Sequence, residues 1–197
     1  MSAPPRAAEL LTALAAVLAR FGARWYLFGA QAVIVWGRPR FTGDVDVTIE
    51  LRDDQIDPFV TAMSAAGFEL RLPGGIEGFV VRTRVIPFLY APTRTPLDLV
   101  LAGPGLENEF LERARRVQFG AVEVPVLSPE DLVITKVLAG RSKDLDDVEG
   151  ILRERAHELD MERIRHVLGL LQQALGQGDL LPAFERALTI AKRGSAG

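Results

Sequence analysis

The sequence predicts an α/β (α+β) chain, with short strands interleaved with helices in the first part and helices alone in the last. Three observations predict it. Before residue 126 the apolar residues switch repeatedly between helical spacing and period-two alternation. Glycine or proline punctuates most of these switches. From Ser128 onward only the helical spacing remains. The expected organisation is a core over 1–126 and a C-terminal helical extension over 127–197 packed on it.

The first helix is expected to begin after Pro4-Pro5 and to stop at Gly22, with Leu10, Leu14, Val17, Leu18 and Phe21 on its buried face. A signal peptide is the poorer reading of this run, because Glu9 interrupts the basic start given by Arg6. Trp25 to Phe28 reads as a short buried strand, Gly29 as a turn, and Ala30 to Trp36 as a short helix ended by Gly37 and Pro39. Val45, Val47 and Ile49 alternate with Asp44, Asp46, Thr48 and Glu50, which predicts a strand with one apolar and one polar face. A helix should follow Arg52-Asp53-Asp54 and run to about Ala66, capped by Gly67.

Strands are expected near Phe68 to Leu70, Phe79 to Thr83 and Val85 to Tyr90. Leu72 to Gly78 between them reads as a connecting loop, since it lacks the Gly-Lys-Ser/Thr ending of a phosphate-binding loop. Leu97 to Leu101 is a further strand, Leu106 to Ala114 a helix, and Arg116 to Val126 a hairpin turning at Gly120. Ser128-Pro129-Glu130-Asp131 carries a helix start: a serine cap, proline at the first position and an acid three residues after the cap. Helices over about 142–158, 161–175 and 181–192 complete the chain.

Composition narrows the function. The chain has 197 residues, 48% of them hydrophobic, and no cysteine, which excludes disulfides, thiolate catalysis and zinc–thiolate sites and suits a reducing cytoplasm. A net charge of −3 argues against coating nucleic acid by bulk electrostatics. No run approaches the roughly 20 apolar residues a membrane span requires, so no membrane partner is expected. His157 and His166 lie far from the acidic residues of interest and read as ordinary helix residues.

Asp44 and Asp46 share one side of their strand, because side chains at i and i+2 point the same way. Co-facial carboxylates repel unless a cation lies between them, and an oxygen-only pair suits Mg²⁺ carrying the phosphates of a nucleotide. The bland alternative is two solvated acids on an exposed strand face. An EF-hand fits less well, since Ile49 stands where its glycine is needed.

The pattern Gly29-Ala30, then Arg40-Phe41-Thr42-Gly43-Asp44-Val45-Asp46, then Asp98 within Pro96-Leu97-Asp98-Leu99-Val100, resembles the DNA polymerase β superfamily of nucleotidyltransferases. Within it, the chain is most similar to the minimal nucleotidyltransferases and AbiEii-like toxin enzymes, with Arg40, Thr42, Asp44 and Asp46 matching their Arg-x-Thr/Ser-x-Asp-x-Asp run. Lys136 and Arg141-Ser142-Lys143-Asp144 look like the Lys and Arg-x-Lys-Asp motifs of the same families.

The resemblance implies a nucleotidyltransferase-like mixed sheet flanked by helices, with Asp44, Asp46 and Asp98 as ligands of two Mg²⁺ ions and as catalytic groups beside Lys136. It also implies nucleotide binding at Gly29, Ala30, Arg40, Thr42, Arg141 and Asp144. A nucleoside triphosphate would be the donor substrate. The acceptor would be tRNA, a protein hydroxyl or a small molecule, and a toxin would bring a cognate antitoxin as partner. Ala30 departs from the family's usual Gly or Ser and leaves only a backbone N–H to hold phosphate. A non-catalytic nucleotide-binding or partner-binding module is the alternative from another class. Arg40 reads either as a phosphate ligand or as a surface arginine. Lys136 reads either as a triphosphate ligand or as a residue at the edge of an apolar helix face. Asp144 and Asp147 read either as positioning groups or as a solvated acid cluster at a helix start.

Overall fold

The computed structural model describes residues 5–38, 41–72 and 77–194. They fall into two compact units, 5–31 with 41–72 and 77–127, and 32–38 with 128–194.

In the first unit, α1 (Pro5–Phe21) precedes β1 (Trp25–Phe28), and α2 (Gly29–Trp36) starts directly at the end of β1. β2 (Val45–Ile49) leads through a 3₁₀ turn at Asp53–Gln55 into α3 (Ile56–Ala65). Then come β3 (Phe68–Leu70), α4 (Glu77–Thr83), β4 (Val85–Tyr90), β5 (Thr95–Leu101), α5 (Leu106–Arg113), β6 (Arg115–Phe119) and β7 (Val122–Val126). The strands form one mixed sheet in the order β3-β4-β5-β2-β1-β7-β6. β2 lies parallel to β5 and antiparallel to β1, while β1 and β7 run parallel.

The position of β2 explains a difference from expectation. Val45, Val47 and Ile49 are fully buried, but Thr48, assigned to the polar face, is also only 2% exposed. A strand paired on both sides within a covered sheet is buried on both faces along most of its length. Its polar character survives only towards its ends, at Asp44, Asp46 and Glu50.

The segment Phe79 to Thr83, expected as a strand, is helical. A short apolar run such as Phe79-Val80-Val81 does not distinguish helix from strand by periodicity. Here Val80 is buried and Val81 is exposed, and Arg84 at φ +55 ends the helix. The Arg84 guanidinium donates to the carbonyls of Leu101 and Ala102, which fixes this left-handed position. Residues 73–76 of the expected loop lie outside the described residues.

In the second unit, α6 (Pro129–Ala139), α7 (Ser142–Arg155), α8 (Met161–Leu175) and α9 (Leu180–Gly194) pack together with the last turns of α2. Ser128 caps α6 by accepting from the backbone N–H of Asp131, with Pro129 at the first position, as the sequence predicts. Gly140 ends α6 in the left-handed conformation. Val133, Ile134, Ile151, Leu168 and Phe184 form its apolar centre. Arg155 closes it over Trp36, its Nε donating to the Trp36 carbonyl at 2.9 Å and its guanidinium lying 5.3 Å from the indole centroid. Among the described residues no helix is long and apolar enough to cross a membrane.

Candidate active site

Strand register brings the acidic residues together. Asp46 on β2 pairs with Asp98 on β5 across the parallel ladder, and on its other side it faces Phe28 of β1. Paired residues of adjacent strands lie roughly 4.8 Å apart. Sequence separation therefore hides a direct neighbour relation between two carboxylates. Asp44 lies two residues before Asp46, just outside β2, and is exposed.

Gly29 follows Phe28 and adopts φ +63, a conformation glycine accepts without penalty. It also lacks the side chain that would fill the space Asp46 occupies: an added Cβ would meet the Asp46 carboxylate oxygen Oδ2 at 2.0 Å and its Cγ at 2.8 Å. The glycine thus admits the carboxylate to the N-terminus of α2, where the first backbone N–H groups have no helical partner. Ala30, the next residue, is only 7% exposed.

Thr42 Oγ1 donates to Asp44 Oδ1 at 2.6 Å, closing the turn into β2. Gln31, on the first turn of α2 and 4% exposed, directs its Nε2 at the Asp44 carbonyl at 3.5 Å, while its Oε1 is buried with no hydrogen-bond partner. Arg71 Nη2 donates to Asp98 Oδ1, giving that carboxylate a cationic partner. Neither Gln31 nor Arg71 was among the sequence-derived candidates. Arg40 lies outside the described residues.

The remaining candidates lie in the second unit. Lys136 Nζ donates to Asp144 Oδ1 at 2.8 Å and to Asp147 Oδ2 at 2.9 Å. Lys136, Asp144 and Asp147 are 6%, 0% and 6% exposed, so the solvated-cluster reading of the two acids is incorrect. The i, i+3 spacing puts both acids on one face of α7, and that face turns inward. Arg141 Nε also donates to Asp144, making a four-residue network of two cations and two anions. Burial pushes the Asp144 carboxyl up, yet the hydrogen bonds from Arg141 and Lys136 and their charges outweigh it and hold it below the ordinary aspartate value.

Among the described residues no three His, Cys, Asp or Glu side chains stand close enough to hold a metal ion as they are. The donor types nevertheless fit a hard divalent cation: Asp44, Asp46 and Asp98 offer oxygen alone. Gly29 leaves the volume in which the Asp46 carboxylate sits, and an arginine cation already lies on Asp98.

The family model described as "Nucleotidyltransferase of unknown function (DUF6036)" matches residues 11–172. The chain belongs to this family of nucleotidyltransferases. No curated protein matches it. Solved structures similar to this nucleotidyltransferase include an antigenic nucleotidyltransferase-like protein from Paracoccidioides brasiliensis, at 19% identity and TM-score 0.58, covering 93% of this chain and 94% of that one. The antibiotic-resistance factor ANT(2'')-Ia is similar at 12% identity and TM-score 0.58, over 86% of this chain and 94% of that one. The lincosamide antibiotic adenylyltransferase LnuA is similar at 10% identity and TM-score 0.50, over 72% and 93%. At these identities the likeness bears on the fold alone, which is the nucleotidyltransferase-like mixed sheet expected from the sequence.

Proposed function

We propose that the chain transfers a nucleotide from a nucleoside triphosphate to an acceptor hydroxyl, with Mg²⁺ at Asp44, Asp46 and Asp98. The observation that carries this is the pairing of Asp46 with Asp98 beside a glycine that makes room for a carboxylate. When bound, the metal supplies Lewis-acid stabilisation of the charge that develops on the phosphoryl oxygens. The acceptor oxygen forms a bond to the α-phosphorus, the bond from that phosphorus to the bridging oxygen breaks, and pyrophosphate leaves with its electron pair. The acceptor's proton passes to a carboxylate oxygen of Asp98. Backbone N–H groups of Gly29 and Ala30 at the start of α2 receive phosphate, helped by the helix dipole. Arg40 and Thr42 closely precede Asp44 in sequence, and the Thr42 hydroxyl donates to the Asp44 carboxylate.

A small-molecule hydroxyl is the acceptor favoured by the neighbours, one of which is a complex with adenylyl-2''-tobramycin. A tRNA or protein acceptor, with a cognate antitoxin, belongs to the toxin version of the same chemistry. Incubating the protein with Mg²⁺, α-labelled triphosphates and cell extract, then separating RNA, protein and small molecules, tests the proposal. Label should enter one fraction with wild-type protein and none with Asp46→Asn. Absence of transfer to every fraction would refute it.

One observation favours a second reading, a nucleotide-binding module without catalysis: Ala30 has a buried methyl where a hydroxyl would assist phosphate binding. Ala30→Ser separates the two. Tighter triphosphate binding supports the transferase, since a hydrogen bond to a charged group contributes about 1.5–3 kcal/mol. Unchanged affinity with lowered stability supports the binding module.

A further inference from the structure

We propose that Arg71 is the resident counter-cation of Asp98, holding that carboxylate in the metal-free protein and giving it up when a divalent cation binds. This rests on the metal-dependent reading of the Asp44, Asp46 and Asp98 site. The residue is placed for the task by its backbone, whose N–H donates to the Pro87 carbonyl at 2.9 Å just beyond β3. Pro87 is the β4 partner of Asp98, so the Arg71 side chain reaches past β4 to Asp98 on β5.

Two physical requirements meet at this contact. Without a cation, Asp98 would stand as a bare anion beside its register partner Asp46, and like charges at one strand spacing repel. Arg71 relieves that repulsion by setting a guanidinium cation on the Asp98 carboxylate. A divalent ion at Asp98 would therefore face a fixed positive charge at contact distance, so the two compete for one carboxylate. The contact is weak enough to yield. The Arg71 and Asp98 side chains are 39% and 37% exposed, and ion pairs open to solvent contribute little. The backbone bond to Pro87 keeps Arg71 anchored whether or not its guanidinium is on Asp98.

The test is Mn²⁺ binding to the full chain, followed by the loss of the free-ion electron paramagnetic resonance signal, with no nucleotide present. Arg71→Met, which keeps the stem and removes the charge, should bind Mn²⁺ about fivefold more tightly, equivalent to about 1 kcal/mol. Arg71→Lys should stay near wild type. In an Asp98→Asn background, Arg71→Met should change nothing, because the competition it relieves is gone. An unchanged or weakened Mn²⁺ affinity in Arg71→Met, with wild-type binding intact, overturns the proposal and leaves the site standing. Binding by Arg71→Met where wild type shows none supports it. Failure of every variant to bind Mn²⁺ overturns the metal site itself, and Arg71's role with it.

Discussion

Gly29 and Asp46 divide one small volume between them: the carboxylate of the β2 residue occupies the space that any side chain at the head of α2 would take. The relation couples backbone conformation to the position of a proposed metal ligand.

Gly29→Ala should therefore fail in two ways at once. The left-handed backbone at φ +63 costs about 1–2 kcal/mol for a residue with a Cβ. The methyl would also force the Asp46 carboxylate to rotate away, the cheapest escape from a 2.0 Å contact. Chemical denaturation should show a loss of that size. Nucleotidyl transfer and Mn²⁺ binding should fall far more steeply than stability does, and retention of both at wild-type level would show that Asp46 can leave its place without consequence.

Lys136→Met should destabilise the chain strongly. It leaves Asp144 without one of its two cations and leaves Asp147 without the Lys136 contact, both in buried surroundings. Removing one partner of a buried pair typically costs about 3–5 kcal/mol. Urea unfolding measures this directly, and a variant as stable as wild type would contradict the buried ion-pair network.

The same network fixes an acid limit. Burial alone would raise the Asp144 carboxyl, but Arg141 and Lys136 hold it below its ordinary value of 3.8 in the folded chain. The unfolded chain consequently binds the proton first as pH falls, and this part of the stability, intact above the ordinary value, is lost as pH drops through the lower folded value. Unfolding free energies measured from pH 6 downward should fall below about pH 4. Asp144→Asn should be less stable at neutral pH and should show a shallower decline in that acid window.

The parts legible in the sequence are those whose signals are local. Gly29 between a strand and a helix, and Asp44 and Asp46 at alternate positions, are read from a few neighbouring residues. Asp98 was legible as an acid flanked by Leu97 and Leu99, although its register opposite Asp46 comes only from the sheet. Arg71 was not legible: it stands 27 residues before the carboxylate it contacts, and one arginine among twenty carries no mark of its own. Gln31 was hidden likewise, as a polar residue in a short apolar helix whose burial depends on packing. The misreading of Phe79 to Thr83 arose from an apolar run too short to show its period. The inward turn of Asp144 and Asp147 was concealed because a charged pair at a helix start is usually solvated, and only the packing of α6 against α7 reveals Lys136 between them.

The most direct measurement of the proposed chemistry is the stability of wild type and Asp46→Asn in the presence of triphosphate, with and without Mg²⁺. At a hundredfold excess over its dissociation constant, bound ligand should add about 2.7 kcal/mol to the wild-type unfolding free energy. That gain should require Mg²⁺ and should vanish in Asp46→Asn, which lacks one of the three carboxylates proposed to hold the metal. A wild-type protein indifferent to every triphosphate with Mg²⁺ present, or an Asp46→Asn variant stabilised as fully as wild type, would contradict metal-dependent nucleotide binding at this site.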